Sequence, residues 1–209
     1  MRPRLALAIA CCVIAALPGC GGGSDAGPAP LPEAGVAATP LDPARTTPLS
    51  DRDFDTAVPA DWHRRIDRRR GERFYYLNSG RGFASDLGIA APGEVGLTVA
   101  TQPSSSLPAD TSARAALERI AATPDEATGV ARKPIEAARL DGAQAARTQF
   151  TYKFRGRSIV QSNVVAIAHG VIIFIEVDAE PSDATEAQRV LATVVENWHW
   201  SESAAVVPS

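Results

Sequence analysis

The sequence predicts an α+β domain: an antiparallel sheet that ends in a C-terminal meander, with helices packed on both faces. Three observations predict it. Segments that alternate apolar and polar residues recur between residues 54 and 177, as in half-buried strands. Short turns at residues 155–157 and 169–170 join the last three of these segments. Helical apolar stripes occur near residues 115 and 190, outside the strands.

The first half of this domain contains three predicted strands and one helix. Residues 54–58 alternate and then meet Pro59, residues 73–77 are rich in aromatics, and residues 94–101 alternate again. Residues 111–122 carry a narrow, alanine-rich apolar stripe with Asp110 or Thr111 as the N-cap, so we expect a helix that lies close to the sheet.

The second half contains the meander and the last helix. Residues 145–154 and 158–168 precede residues 171–177, which are apolar on both faces and therefore belong in the middle of a sheet. Pro181 and Ser182 then break the strand. Asp183 and Glu186 have capping-box spacing before an apolar stripe that runs to Trp198, which predicts a terminal helix of about four turns.

The N-terminus has the layout of an export signal. Arg2 and Arg4 precede an almost wholly apolar stretch, residues 5–17, which is too short for the ~30 Å hydrocarbon core of a bilayer. It closes with Leu17-Pro18-Gly19-Cys20, which resembles the lipobox of bacterial lipoproteins. The resemblance implies cleavage before Cys20, a diacylglycerol on its sulfur and often a third acyl chain, such as palmitate, on the new amine. Cys11 and Cys12 lie in the removed segment, so no intramolecular disulfide remains.

These features predict four regions. Residues 1–19 are the lipoprotein signal peptide, residues 20–50 a disordered Gly/Pro/Ala-rich tether, residues 51–201 a single domain, and residues 202–209 a flexible tail. The expected location is the cell envelope, with lipid attachment at Cys20. In a bacterium with two membranes, the residue after Cys20 favours the periplasmic face of the outer membrane. Otherwise we expect the outer face of the cytoplasmic membrane.

The domain also resembles the PsbP/DcrB-like fold, which occurs in many bacterial lipoproteins. The similarity rests on an opening strand that leads to Val58, Pro59 and Trp62, a helix in mid-chain, Gly142 at the entry to the meander, and a last helix that ends in aromatics. This family is mostly non-catalytic and serves in binding, assembly or accessory roles. The resemblance therefore implies no catalytic residue.

Motifs for common chemistries are not present in the sequence. The three histidines, His63, His169 and His199, lack metal-ligand spacing, and neither a GxSxG nor an SxxK motif occurs. With 24 acidic against 21 basic residues, the chain lacks the basic character of a nucleic-acid-binding protein. We expect no enzyme activity, no cofactor, no metal and no nucleic acid.

One segment stands out by its charge. Residues 62–73 contain six arginines in twelve residues of a net-acidic chain. Guanidinium groups bind phosphates and carboxylates bidentately, so this Arg-rich loop is a candidate site for an anion or a partner. The alternative is a solvated connection between two strands. The candidate residues are Arg64, Arg65, Arg68, Arg69, Arg70 and Arg73, with Trp62 and Trp200 as possible aromatic contacts.

Together these observations predict a lipid-anchored, non-catalytic envelope protein that presents a binding or accessory domain to an envelope protein or an anionic polymer. Two alternatives remain open. One is an envelope hydrolase or glycan-modifying accessory that binds its substrate through the Arg-rich loop, which requires a concave pocket with perturbed carboxyl groups. The other is a small-molecule carrier, which requires a sizeable apolar cavity.

Overall fold

The computed structural model describes residues 38–69, 71–80, 89–121 and 123–201. The predicted signal peptide, most of the predicted tether and the whole predicted C-terminal tail lie outside the described residues. In chain order, the elements are β1 Thr46–Ser50, β2 Phe54–Pro59, β3 His63–Arg69, β4 Glu72–Asn78, β5 Val95–Pro103, α1 Ala113–Ile120, β6 Thr128–Arg132, β7 Glu136–Leu140, β8 Ala143–Phe154, β9 Arg157–Ala168, β10 Val171–Ala179, α2 Ala184–Glu196 and β11 His199–Trp200.

The main sheet is antiparallel, and its strands follow the order β3-β4-β5-β10-β9-β8-β6, with β7 pairing β8 beside β6. A smaller sheet has the order β1-β2-β11. Strand β10 lies at the centre of the main sheet, between β5 and β9. In the part of the chain that the structure describes, β3 forms one end of this order.

The larger core covers one face of the main sheet, here called the α2 face. It joins Leu77, Ile173 and Ile175 of the sheet to Val190 and Val194 of α2. The smaller sheet also contributes to this core through Phe54, whose ring stacks on Trp198 at a centroid distance of 4.4 Å. Helix α2 therefore packs between the two sheets.

The second core covers the opposite face, here called the α1 face. Ala116 and Leu117 of α1 contact a cluster that includes Tyr152, Val165 and Ile172. Because Ile172 and Ile173 are neighbours on one strand, their side chains point to opposite faces and belong to different cores. The α+β class, the meander and the helices on both faces are confirmed.

The domain begins earlier than the sequence predicts. The tether was expected to extend to residue 50, but β1 pairs with β2, and Leu41 and Leu49 are both buried. The backbone N–H of Leu41 donates a hydrogen bond of 2.8 Å to Thr193 Oγ1 on α2. Single apolar residues in a polar segment gave no periodic signal, yet they fill spaces in the core.

The Arg-rich segment was predicted to be a loop, but residues 63–69 form the strand β3, which pairs with β4 in a hairpin. Its register pairs Arg64 with Leu77 and Arg69 with Glu72. Gly71, at a φ of +89°, lies in the tight turn between them. Backbone pairing with β4 holds this strand, although only one of its residues, Ile66, is apolar. Strands β6 and β7 were not predicted, because β6 is exposed along its whole length and shows no alternation.

Helix α1 has a different N-cap from the one expected, whereas α2 begins after Asp183 as expected but lacks the predicted capping hydrogen bonds. Helix α1 begins at Ala113, and its N-cap is Ser112, whose Oγ accepts a hydrogen bond from the N–H of Ala115 at 3.2 Å. Asp183 precedes α2 but makes no side-chain cap hydrogen bond. Glu186 pairs instead with Arg189, at 3.2 Å. The spacing of a capping box is present here without its hydrogen bonds.

Candidate functional site

Strand β3 divides the predicted arginines between the two faces of the sheet. Alternate residues of a strand point to opposite faces. Arg65 and Arg69 lie opposite Tyr76 and Glu72, on the α1 face. Arg64 and Arg68 lie opposite Leu77 and Arg73, on the α2 face. The run of arginines is therefore two different surfaces.

The arginines on the α1 face lie among carboxylates. Asp67 lies between them on β3, and its Oδ2 is 3.6 Å from Arg65 Nη2 and 3.7 Å from Arg69 Nη2. The Arg65 guanidinium also stacks over the Tyr76 ring, at 4.6 Å from the centroid. Because Glu72 of β4 lies opposite Arg69 on the same face, two carboxylates balance the two arginines, and this face has little attraction for a further anion.

The arginines on the α2 face have no such neutralising group. Arg64 and Arg68 are both exposed, and among the described residues neither has an ion-pair or hydrogen-bond partner. Between them lies Ile66, which is 47% exposed, so this face of β3 presents a cation, an apolar side chain and a cation at alternate positions. We call Arg64, Ile66 and Arg68 the β3 triad.

Arg73, the last of the candidate arginines, is enclosed by two carboxylates. Its side chain is 13% exposed and forms ion pairs with Asp51, at 2.5 Å, and with Asp53. Burial lowers the pKa of Arg73, but the two carboxylates outweigh burial and raise it above its usual value. Tyr75 O–H donates to Asp51 in the same cluster, and burial together with that carboxylate raises the pKa of Tyr75 to about 12.

An open depression of about 430 Å³ lies beside the triad, at the turn of the β3–β4 hairpin. Its lining contains more positive than negative side chains and consists of Asp51, Arg52, Arg68, Arg69, Gly71, Glu72, Arg73 and Pro103. Asp51 and Asp53 already neutralise Arg73 there, and Arg52 pairs with Asp53 at 3.1 Å. Arg68 therefore supplies an unpaired cation that links this depression to the triad.

The two tryptophans predicted as aromatic contacts pack against the larger core. Trp200 is partly buried, and its indole N–H donates to the Leu140 carbonyl at 3.0 Å, while Trp198 packs against it at 5.8 Å. Trp62 packs against the same core. These contacts give both tryptophans a packing role. Arg70 and Cys20 lie outside the described residues.

The sequence analysis missed a polar cleft of about 240 Å³ beside α2. Ser162 Oγ, on β9, accepts hydrogen bonds from Gln149 Nε2 at 3.2 Å and from Gln188 Nε2 at 2.8 Å. Arg147 and Glu136 form an ion pair of 2.8 Å at the rim. The sequence signal for this cleft was the polar run Gln161-Ser162-Asn163 inside β9.

A pair of perturbed carboxyl groups lies on the α1 face of β10. Burial raises the pKa of Glu176 to about 8, and the Asp178 charge adds to this. Burial also raises the pKa of Asp178 to about 6, against the opposing effects of the Ala90 N–H and Arg157. Glu176 Oε2 accepts a hydrogen bond of 2.8 Å from Gln161 Nε2. Neither carboxyl group lines the polar cleft, whereas the hydrolase alternative requires perturbed carboxyl groups inside its pocket.

Comparison with known families gives one match that spans most of the domain. The sequence model described as "Serine/threonine kinase C-terminal domain" matches residues 49–200, from the end of β1 to β11, and includes the whole of β3. The chain belongs to this family.

The kinase C-terminal domain family is named for a region that accompanies a catalytic domain. The signature motifs of kinase catalysis, His-Arg-Asp and Asp-Phe-Gly, do not occur in this sequence. The family match therefore assigns no catalytic residue to the chain. No curated protein matches it.

Several solved structures are similar in shape to this member of the kinase C-terminal domain family. LpqN, involved in cell envelope biogenesis of Mycobacterium tuberculosis, is 18% identical, with 75% of this chain and 90% of that chain covered and a TM-score of 0.46. The Ran-binding protein Mog1p of Saccharomyces cerevisiae is 11% identical, with 78% and 98% covered and a TM-score of 0.49. Cyanobacterial PsbP from Synechocystis is 15% identical, with 73% and 95% covered and a TM-score of 0.37.

The described residues contain no group of three or more His, Cys, Asp or Glu side chains that is arranged to hold a metal ion. No helix among them has the length and apolar character needed to cross a bilayer.

Proposed function

We propose that this protein is a lipid-anchored, non-catalytic accessory protein of the cell envelope and that it binds an anionic partner through the β3 triad. The proposal rests on one observation: the arginines on the two faces of β3 have different ion-pair partners. Arg65 and Arg69 share an ion pair with Asp67, whereas Arg64 and Arg68 face solvent beside an exposed Ile66. Exposed cations of this kind attract anions, and a guanidinium group can donate two parallel hydrogen bonds to one carboxylate or phosphate.

The family match supports an accessory role. The family is described as a C-terminal domain of serine/threonine kinases, and this description favours a binding or positioning role over catalysis. The placement of the perturbed carboxyl groups agrees with this, because Glu176 and Asp178 lie away from the polar cleft and from the arginine-lined depression.

The proposed anchor is Cys20, on the strength of the lipobox resemblance. Two or three acyl chains hold far more firmly than one, since each buried methylene contributes about 0.8 kcal/mol. An acylated Cys20 would hold the chain at a membrane surface.

Binding of anions is tested with two matched double variants in a Cys20→Ser chain, in which no acyl group contributes to membrane binding. Arg64→Glu with Arg68→Glu reverses the triad, and Arg65→Glu with Arg69→Glu changes the net charge equally on the other face. The probes are phosphatidylglycerol/phosphatidylcholine vesicles, long-chain polyphosphate and an acidic peptide, each at low and at physiological salt. We expect binding to at least one probe at low salt, weakened as the Debye length shortens to about 8 Å.

The triad variant should lose this binding and the matched variant should retain it. Equal retention by both variants, or no binding of any probe by the parent chain, would contradict the proposed site. Equal loss by both would show that total charge, rather than the triad, attracts the anion. The triad variant should keep the parent's melting temperature, because exposed charges contribute little to stability. The matched variant loses the ion pairs with Asp67 and should melt somewhat lower, so its binding is measured well below its own melting temperature.

The anchor is tested separately by Cys20→Ser in cells. We expect the substituted protein to lose its acyl groups and to leave the membrane fraction after a high-salt wash. Metabolic labelling with a palmitate analogue, followed by fractionation, measures both effects. Quantitative retention of the variant with washed membranes would overturn the anchor while leaving the triad to its own test.

A further inference from the structure

The β3 triad lies on a strand that has an open edge. Among the described residues β3 pairs only with β4, so alternate residues of β3 direct their backbone N–H and C=O groups away from the sheet. Such an edge is a template for another strand. At seven residues, β3 is longer than the usual mode of about five to six and offers several backbone hydrogen bonds.

Charged side chains on an edge strand also discourage unwanted pairing between copies of a protein. That role explains repulsion between arginines, but it does not explain why Ile66 is exposed between two cations that have no ion-pair partner in the described part of the chain. The combination repels a second copy of the same edge. It is complementary to a strand of opposite charge that carries an apolar residue in the middle.

We propose that β3 receives an acidic, extended peptide segment as an additional strand of the main sheet. This inference rests on the proposed function and names the class of partner. Acidic residues would lie opposite Arg64 and Arg68, and an apolar residue opposite Ile66. Residues directly opposite each other on paired strands are about 4.5–5.5 Å apart at Cβ, which is close enough for ion pairs and apolar contact. The partner pattern is acid-x-apolar-x-acid.

An acidic peptide would contact more features of this surface than a phosphate polymer or a lipid surface would. A phosphate polymer would use the arginines alone, and a lipid surface would use the arginines and Ile66. Only a peptide also uses the open backbone edge, through the main-chain hydrogen bonds that give strand addition its affinity. The polymer and the membrane therefore become outcomes of the test.

The test uses the full chain in neutral detergent and a labelled peptide, Thr-Glu-Thr-Val-Thr-Glu-Thr, followed by fluorescence anisotropy. Two further peptides carry N-methyl groups, one on the Glu and Val residues and the other on the inner Thr residues. N-methylation removes a donor, and only one of the two sets of N–H groups can face β3 in a paired strand. Strand addition predicts that one methylated peptide loses binding and that the other retains it.

Variants of the protein complete the test. Arg64→Glu with Arg68→Glu should weaken binding of the parent peptide by about tenfold or more, because attraction becomes repulsion at both positions. Arg65→Glu with Arg69→Glu should change it by no more than about threefold, since these residues face the other side of the strand. Retention of binding by both methylated peptides, or its loss with both, contradicts strand addition.

Failure of this inference is distinguishable from failure of the proposed function. If vesicles or polyphosphate bind through Arg64 and Arg68 but no peptide does, the site stands and the peptide partner is wrong. If no probe depends on Arg64 and Arg68, both proposals fail.

Discussion

At the scale of single residues, neighbours decide what each arginine of the Arg-rich segment does. Arg73 is enclosed by Asp51 and Asp53, whereas Arg64 has no ion-pair partner in the described chain. Among the described residues, removal of this cation leaves Asp51 with only the Tyr75 O–H and Asp53 with only the exposed Arg52 as side-chain partners. We expect Arg73→Met to lower the free energy of unfolding by about 3 kcal/mol, and Arg64→Met to change it by less than about 0.5 kcal/mol. Urea denaturation measures both, and equal losses would refute the assignment.

A second residue-scale prediction concerns Glu176. Its pKa is raised from 4.5 to about 8, so the folded protein holds a proton that the unfolded chain releases between these values. The unfolded state then binds fewer protons, and the free energy of unfolding falls as pH rises through this window. Burial likewise raises the pKa of Asp178, but only to about 6. Its contribution is therefore largely complete before the upper part of the window.

Thermal melts between pH 6.5 and 8.5 isolate the effect of Glu176. The parent protein should lose stability across this range, and Glu176→Gln, which stays neutral, should show a flatter profile. Glu118→Gln is the control, because Glu118 is half exposed on α1. Parallel profiles for the parent and Glu176→Gln would mean that this carboxyl group is ionised in the folded protein.

The same residues show how far the sequence could predict the site. Composition alone identifies the run of arginines. It could not separate Arg68 from Arg73, because the two carboxylates that enclose Arg73 lie 22 and 20 residues away in the chain. It also could not assign Arg64 and Arg65 to different surfaces while the segment was interpreted as a loop. The ion pairs of Arg73 with Asp51 and Asp53 and the pairing of β3 with β4 make these distinctions, and both appear only in the folded structure.

At the scale of elements, prediction succeeded where side-chain alternation and strand pairing agree. Strands β8, β9 and β10 alternate or are apolar throughout, and short turns join them, so their register is strongly specified. It failed for β1, β3 and β6, which are held chiefly by backbone pairing to a neighbour. An edge strand with one apolar residue resembles a loop in sequence.

The element-scale prediction compares two isoleucines on two strands. Ile175, on β10, is fully buried between Val99 and Val164, whereas Ile66, on β3, is 47% exposed. Ile175→Ala should cost about 2–5 kcal/mol, through lost burial and the cavity left behind. Ile66→Ala should cost less than about 0.5 kcal/mol. Similar losses in guanidinium denaturation would contradict the central position of β10.

At the scale of the whole molecule, two cores stabilise the main sheet, and among the described residues β3 forms an open edge of that sheet. The net charge of −3 makes an anion-binding surface unusual on this chain, so attraction has to be local. The β3 triad provides a local positive charge, because Arg64 and Arg68 take no part in the ion pairs of Arg65, Arg69 and Arg73.

The most direct test of this account is photo-crosslinking in living cells at two exposed positions on opposite ends of the main sheet. Ile66 on β3 and Val130 on β6 are each 47% exposed, so a photoreactive residue at either is equally accessible. The account predicts discrete crosslinked adducts from position 66, their loss when Arg64 and Arg68 are changed to Glu, and no such adducts from position 130. Identical adducts from both positions, or adducts at 66 that persist in the double variant, would contradict it.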